Sequence, residues 1–451
     1  MCGIAVRNLK RQTYYTDEMG HRGLLTHRKE FGCLELIHEH LPIQVYDSAY
    51  PIIQSERYDV LFNGEIFEHD ETDDIVFLTK MFRDESFRHV FDIVEELKNL
   101  DGFYSFIVID KQENKVYAFT DPLGKKQLYY NPGFGIASEI RGVSDKNSKL
   151  DRTYFGTILK HGYTADNRTP LQNVKRLLPN TVYTFDVELT LHAMMENYYD
   201  FFAPIVGVPF QSMTSNQFIY DTMEKSVKNR LIGHHRVALL LSGGLDSAII
   251  HHHLKCAKNV SVYTVNNGED YQYAKALAPE AQLVNFTQFG DDLKMAIHAQ
   301  EMPMDLGSMI PQFKLCSAIN ERVIMTGDGA DEIFGGYRRM AEYDAQVSDI
   351  FDELRYYHLV RLDRMSMWFT KELRSPFLNL DLIKFALTLP HEDRIDKKFL
   401  RNVYRGILPM NIVNRPKEPL KIDRVKKDPY EYRKELITEY LNQRKLNGQG
   451  K

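Results

Sequence analysis

The sequence predicts two units of different class: a sandwich of sheets and helices over residues 1–200, and over 201–451 a parallel sheet covered by helices, with a helical C-terminal part. Three observations lead there. In the first half, strand-like runs surround two amphipathic helical patterns. Past Pro204-Ile-Val-Gly-Val-Pro209, short continuous apolar runs alternate with helices or polar loops, the pattern of strands buried on both faces. From about residue 340 onward helical patterns dominate.

The elements follow in order. Thr72 is a candidate N-cap for a helix that sets Ile75, Leu78, Met81 and Phe82 on one face, and Phe87, Val90, Phe91, Val94 and Leu97 form a second such face. Phe103-Tyr-Ser-Phe-Ile-Val-Ile109 and Lys115-Val-Tyr-Ala-Phe119 flank the polar turn 110–114 and read as a hairpin. Pro132-Gly133 marks a further turn before the run 134–137. The runs 237–241, 260–265, 282–286 and 322–326 are the strands expected of the parallel sheet. Ligands in such sheets bind beyond the carboxyl ends of the strands, so the loops after Leu241, Val265 and Thr326 are where chemistry is expected. The charged segment 428–451 reads as a solvated helix with a frayed tail.

Composition narrows the function classes. A chain of 451 residues, 43% hydrophobic and 26% charged, carries apolar material for more than one core. Its 57 basic and 62 acidic side chains leave a net charge of −5, with no basic domain of the kind that binds nucleic acid. No apolar run approaches the ~20 residues of a membrane span, and no signal pattern opens the chain, so the expectation is a cytoplasmic protein. The four cysteines, Cys2, Cys33, Cys256 and Cys316, lack metal-site spacing and are too few to staple the fold. His251, His252 and His253 are consecutive, so on a helix they point about 100° apart and cannot share one metal; they read as structural, as do His234 and His235.

Cys2 holds the most chemistry. Removal of Met1 leaves a thiol and a free α-amine on one residue, and an amine with a pKa near ~7.7 to 8 can serve as general base for its own side chain. A cysteine near a terminus also reads as a small buried hydrophobe. Asn63-Gly64-Glu65, directly after Val60-Leu61-Phe62, offers a side-chain amide and a glycine N–H, the two donors of an oxyanion hole, although Asn-Gly alone is also a turn signal. In the second half, Ser242-Gly-Gly-Leu-Asp-Ser247 sits between a strand and a helix. Its glycines, serine hydroxyls and helix N-terminus suit a phosphate, and Asp246 can hold a Mg²⁺ that bridges phosphates.

Cys2-Gly3-Ile4, His21-Arg22-Gly23, His38-Glu39, Asn63-Gly64-Glu65, Asp73 and Asp121-Pro-Leu-Gly124 together resemble the glutaminase domain of class II, N-terminal-nucleophile glutamine amidotransferases. The resemblance implies an αββα sandwich in which Cys2 attacks the glutamine amide, Asn63 and Gly64 hold the oxyanion, and His40, Glu65 and Asp73 help bind glutamine, Asp73 through the α-ammonium group. His40 stands where that family has an arginine for the glutamine carboxylate, and Leu24-Leu25 stand where it has Pro-Asp. The resemblance therefore implies weaker glutamine binding or a replacement cation elsewhere.

The Ser242 to Ser247 loop resembles the pyrophosphate loop of ATP pyrophosphatases; with no Gly-Lys-Ser/Thr it is not a Walker loop. Gly327-Asp-Gly-Ala-Asp-Glu-Ile-Phe-Gly-Gly-Tyr337, Asp363-Arg-Met-Ser-Met367, Glu372-Leu-Arg-Ser-Pro-Phe-Leu378, Leu400-Arg401, Leu408-Pro409 and Arg415-Pro-Lys417 extend the match to asparagine synthetases. By that resemblance ATP meets Leu240, Ser242, Gly243, Gly244, Asp246, Ser247, Val265, Thr326 and Gly327. Asp246 and Asp331 hold Mg²⁺, Asp328 assists formation of an acyl-adenylate, and Arg364 and Lys417 are cations for the departing pyrophosphate or for the aspartyl carboxylates. Glu372 and Arg374 also read as a lock between helices. The implied reaction converts aspartate, ATP and glutamine to asparagine, AMP, pyrophosphate and glutamate, with ammonia crossing a channel between the domains; by analogy Ser138-Glu-Ile-Arg141 and the strand around Phe103 are candidates for the domain interface. The resemblance admits a homodimer. Amidation of another carboxylate, amide formation as in β-lactam synthetases or lasso-peptide cyclases, and a degenerate non-enzymatic relative are the alternatives.

Overall fold

Two antiparallel sheets lie face to face in the first half of the chain. In the computed structural model, which describes residues 2–11, 19–43, 51–144, 148–201, 213–233, 236–265, 269–285, 292–305, 307–342, 347–417 and 428–446, the first sheet runs Lys175–Arg176, Tyr129–Asn131, Gly135–Ala137, Gly3–Asn8, Leu34–His40, Leu25–Phe31. The second runs Leu191–Glu196, Thr181–Asp186, Lys115–Thr120, Gly102–Asp110, Tyr58–Ile66, Ile53–Gln54. Side chains alternate faces along a strand. Ile4, Val6, Leu34 and Leu36 accordingly meet Leu61, Ile107, Ile109 and Val116 between the sheets. Val60, Phe62, Phe106 and Val108 point the other way, onto the helices Asp74–Met81 and Val90–Leu97. The outer face of the first sheet packs Ala5, Ile37 and Ala137 against Tyr154 and Ile158 of the helix Arg152–His161 and against Tyr357 and Val360 from the second half.

The hairpin is present as Gly102–Asp110 and Lys115–Thr120, paired from Ser105↔Thr120 to Asp110↔Lys115. The first helix is capped one residue later than Thr72: the Asp73 carboxylate accepts from the Val76 N–H at 2.7 Å. A carboxylate is a stronger cap than a hydroxyl and also meets the positive end of the helix dipole.

In the second half five parallel strands stand in the order Gln282–Val284, Val260–Val265, Val237–Leu240, Val323–Met325, Glu372–Arg374. Four coincide with the apolar runs. The fifth was expected to be part of the helical segment, because Glu-Leu-Arg has no apolar signature; its two charges are buried against one another, the Arg374 Nε donating to Glu372. The segment 428–451 also departs from expectation. Its helix, Pro429–Leu446, docks by a stripe that buries Leu436 and Tyr440, and Tyr432 donates to Asp305 at 2.9 Å. The stripe's spacing of four residues was hidden among charges. Met1, the Pro204 to Pro209 segment, His234, His235, Phe286 and residues 447–451 lie outside the described residues. No helix among the described residues is long and apolar enough to cross a membrane.

The halves are joined by buried charge. Arg22 donates to both oxygens of Asp363 at 3.2 and 2.9 Å and to Glu139 at 2.9 Å, while Lys126 reaches Asp363 at 2.5 Å. Glu139 and Glu301 sandwich Arg364 at 3.0 and 2.9 Å, and Glu301 also accepts the backbone N–H groups of Ile140 and Arg141. Removing one member of such a set leaves the others charged without a partner in a low dielectric. Asp363→Asn is therefore expected to cost roughly 3–5 kcal/mol in chemical denaturation. A loss under about 1 kcal/mol would mean that the junction does not rest on this carboxylate.

Candidate functional site

Two constellations of polar side chains stand out, one in each half. The first forms where the strands Gly3–Asn8 and Tyr58–Ile66 face one another across the sandwich. The Cys2 nitrogen donates to Asn63 Oδ1 at 3.0 Å, and Arg22 Nε donates to the Cys2 carbonyl at 3.3 Å. Accepting through Oδ1 turns the Asn63 amide so that its Nδ2 is buried with no hydrogen-bond partner. An orphaned donor of this kind is costly unless something occupies its direction. Asn63-Gly64 is not a turn here. It lies inside a continuous ladder, with Asn63↔Ser105 and Gly64↔Tyr104. Gly64 has φ +153, and a Cβ at that position would collide with the Phe103 carbonyl, so only glycine fits.

The neighbouring histidines are neutral at ordinary pH. Gly3 pairs with Glu39, which sets His40 beside the Cys2 end of the strand. Burial, with help from His38, pushes His40 down to about 3, and burial pushes His38 down to about 4, its Nε2 donating to the Phe62 carbonyl at 2.9 Å. The position where a carboxylate-binding arginine was expected thus carries no charge. Of the other residues expected to bind glutamine, Asp73 spends one oxygen on the helix cap. Glu65 is buried beside Asp74; burial together with the Asp74 charge holds Glu65 well above the usual carboxylate range, and burial raises Asp74 to about 7 against the lowering effect of its hydrogen bonds to Glu65 and to the Ile66 N–H. His69 also contacts Asp74 at 2.8 Å, and Arg374 lies 3.6 Å from Glu65.

The second constellation lies beyond the carboxyl ends of the parallel strands. After Val237–Leu240 the chain turns through 242–244 into the helix Leu245–Leu254. The turn is fastened internally: the Ser242 N–H donates to Ser247 Oγ at 3.1 Å, and the Gly244 N–H to Ser242 Oγ at 3.3 Å. Gly243 has φ +76 and approaches the Asp270 carbonyl so closely that a Cβ would stand 2.7 Å from it. Arg415 braces the same turn by donating to the Gly243 carbonyl at 2.9 Å while its guanidinium lies over Tyr273.

Asp246 and Asp331, 85 residues apart in sequence, converge on one ammonium group. Lys397 Nζ lies 2.6 Å from both oxygens of Asp246 and 2.5 Å from Asp331, and Lys417 lies 2.5 Å from the other oxygen of Asp331. Burial alone would raise the Asp331 carboxyl, but the two lysines overcome it and hold the group well below its ordinary range. Two convergent carboxylates fit Mg²⁺, which takes one or two protein carboxylates and completes its shell with phosphate and water. Among the described residues there is no group of three or more His, Cys, Asp or Glu that could hold a metal.

Thr326 and Gly327 follow the strand Val323–Met325; Thr326 Oγ1 lies 3.3 Å from Ser375 Oγ, and Gly327 packs on the Asp246 side chain. Val265 ends its strand buried, and Leu240 precedes the turn half-buried. Asp328 is 3.5 Å from Arg361. Arg364 is not part of this cluster; it is buried between Glu139 and Glu301 at the junction of the halves. Lys397 was missed by sequence reasoning. It occupies a left-handed conformation, φ +57, directly after Asp396 at φ +51, and nothing in the charged Asp-Lys-Lys run signals that turn. His252 and His253 meet the hydroxyls of Tyr220 and Tyr404 at 3.1 and 2.8 Å.

Comparison with known proteins bears on both constellations. Residues 219–355 and 341–450 match the family model described as asparagine synthase, and residues 1–199 match the model of a glutamine amidotransferase domain. A protein of Methanocaldococcus jannaschii, named provisionally as a glutamine-hydrolysing asparagine synthetase, is 27% identical over 81% of this chain and 71% of its own. Glutamine-hydrolysing asparagine synthetases of Arabidopsis thaliana and Homo sapiens are 25% and 24% identical, over 84% and 81% of this chain and 69% and 72% of theirs.

The Glu65 and Asp74 pair gives a pH signature. Both carboxyl groups hold protons more tightly folded than unfolded, so the folded state binds the extra proton and stability falls as pH rises from the unfolded value of 3.8 through about 7. Asp74→Asn is expected to flatten this slope, worth roughly 1.4 kcal/mol per pH unit per proton. Thermal midpoints of the two proteins at mildly acidic and neutral pH provide the comparison, and parallel slopes would show that the pair holds no shared proton.

Proposed function

Since the chain belongs to the asparagine synthase family and is a glutamine-dependent, ATP-using ligase, we propose that it makes L-asparagine from L-aspartate, ATP and L-glutamine. Residues 1–200 form an N-terminal-nucleophile glutaminase domain in this proposal, and residues 201–451 the synthetase domain. Loss of Met1 makes the Cys2 nitrogen an amine, and the thiolate formed beside it attacks the glutamine amide carbon. Negative charge then develops on the former amide oxygen, where the unpaired Nδ2 of Asn63 and the Gly64 N–H meet it. Ammonia leaves, and water hydrolyses the thioester to glutamate. Asp73 and Glu65 orient the substrate, and His40 contributes at most a neutral N–H, so the glutamine carboxylate finds no permanent cation there.

In the synthetase half the turn 242–247 cradles the ATP phosphates, with Leu240, Val265, Thr326 and Gly327 along the nucleotide. The aspartate β-carboxylate attacks the α-phosphorus, pyrophosphate departs, and the acyl-adenylate is attacked by ammonia. Lys397 and Lys417 are placed to neutralise the departing pyrophosphate, and Asp328 stands by the forming adenylate. Asp246 and Asp331 would hold Mg²⁺, which draws charge off the phosphates. The observation that supports this reading most strongly is the convergence of Asp246, Asp331, Lys397 and Lys417 at the mouth of the phosphate turn. Such a balanced set of charges suits a polyanion arriving with its cation.

The test supplies ATP, Mg²⁺ and aspartate with either glutamine or ammonium and measures asparagine, AMP and pyrophosphate. Cys2→Ala is expected to lose glutamine-dependent synthesis by roughly three orders of magnitude or more while keeping synthesis from ammonium. ADP as the product, or turnover without dependence on aspartate, would overturn the assignment.

A further inference from the structure

The helix Leu359–Met367 sends Asp363 and Arg364 into the junction of the halves and a third charged side chain, Arg361, to the loop after the strand Val323–Met325. Arg361 is buried, with 6% of its surface exposed. Among the described residues its one hydrogen-bond acceptor is Asp328, whose Oδ1 lies 3.5 Å from Nη2, longer than an ordinary bond of this kind. Its Nε is buried with no partner. A guanidinium carries five N–H donors in a planar fork and keeps its charge at any ordinary pH, so a single long contact leaves most of that fork uncommitted. The Tyr357 ring, 5.7 Å away, covers one face, and the Tyr357 hydroxyl is turned to Asp305.

The other groups that face Arg361 are already engaged. Asp305 lends it negative charge at longer range, but the Asp305 oxygens are taken. Oδ1 accepts the Tyr357 hydroxyl at 2.8 Å and the N–H groups of Gly307, Ser308 and Met309 at 2.7, 3.0 and 3.1 Å, and Oδ2 accepts the Tyr432 hydroxyl at 2.9 Å. Tyr337, also nearby, donates to Glu332 at 2.6 Å. Asp328 differs in that its side chain is 33% exposed, so the pair it forms with Arg361 opens to solvent on that side. Asp328 directly follows Gly327, which packs on the Asp246 side chain, so the open side adjoins the phosphate turn. A buried cation with so little hydrogen bonding is costly as it stands, and an arriving carboxylate relieves that cost.

We propose that Arg361 is the acceptor's carboxylate clamp: its fork binds the α-carboxylate of an amino dicarboxylic acid and leaves the second carboxylate free to reach the α-phosphorus of ATP. The inference rests on the function proposed above and supplies something that function needs. Aspartate has two carboxylates of similar chemistry, and only the β one is to be adenylated. Holding the α-carboxylate bidentately chooses between them by position. Asp328, exposed and only 3.5 Å from Arg361, yields its place to the incoming carboxylate, and its charge is then met by the α-ammonium group on the carbon that bears that carboxylate. Arg361 is thus a substrate-binding residue that decides which acids are accepted, and it takes part in no bond-making step.

The test follows pyrophosphate release with ammonium as the nitrogen donor and compares aspartate with β-alanine, which keeps the amino group and the reacting carboxylate and lacks the α-carboxylate. The unaltered enzyme is expected to prefer aspartate by at least about 100-fold in kcat/KM. Arg361→Gln is expected to lose at least about 30-fold on aspartate, mainly through KM, and less than about threefold on β-alanine, so that the preference collapses. Arg361→Lys, which keeps the charge without the fork, is expected to fall between the two. The KM for ATP and glutamine hydrolysis at Cys2 are expected to change less than about twofold in either variant. Equal losses on both acceptors, which a merely structural residue would give, overturn the clamp, and so does an unaltered enzyme that takes β-alanine as readily as aspartate. Should Arg361→Gln fail to fold, a preference in Arg361→Lys equal to that of the unaltered enzyme overturns it in the same way. An unaltered enzyme that releases no pyrophosphate with aspartate contradicts the function itself and the clamp with it, whereas normal turnover of aspartate with an unmoved preference contradicts the clamp alone.

Discussion

Arg22 is the residue on which the arrangement of the molecule turns. Its guanidinium donates to the Cys2 carbonyl, to Glu139 and to both oxygens of Asp363, a residue 341 positions away in sequence. All three partners are buried, so none of these charges is screened by water, and each depends on the others for neutralisation. Around it Lys126, Arg141, Arg364 and Glu301 complete a network that spans both halves of the chain. Charge of this density is costly to bury. It is tolerable only in one geometry, and that geometry fixes Cys2 and its strand against the helix Leu359–Met367.

The same network lies between the two constellations and holds the halves that carry them. Sheet strands set Asn63 and Gly64 on one side of the junction, and the ends of parallel strands set Thr326 and Asp331 on the other. The charges that line this junction are buried and mostly engaged with one another, which limits what they offer to bulk water.

Much of this was legible in the sequence, and for identifiable reasons. The hairpin around residues 110–114 and four of the five parallel strands follow from period and apolar runs, which depend on neighbours in sequence. Cys2 and Asn63 were brought together by the family resemblance and are hydrogen-bonded to one another, and the turn at Ser242 to Ser247 was legible from its position between an apolar strand and a helix. What escaped depends on partners distant in sequence. The strand Glu372–Arg374 is stabilised by mutual burial of its own charges, Lys397 acts through a left-handed turn in a charged run, and Arg364 finds both its carboxylates in other segments. The neutrality of His40 is likewise a property of its burial among other histidines, not of its identity.

The central claim is that a carboxylate is activated by adenylation at one site and amidated with nitrogen released at the other. Following oxygen through the reaction tests it most directly. Aspartate labelled with ¹⁸O in its β-carboxylate is incubated with ATP, Mg²⁺ and glutamine, and the phosphorus-containing products are analysed by mass. Adenylation places one carboxylate oxygen on the α-phosphorus, so AMP should carry a single ¹⁸O while pyrophosphate carries none. Label in inorganic phosphate alongside ADP, or AMP free of label, would contradict the account.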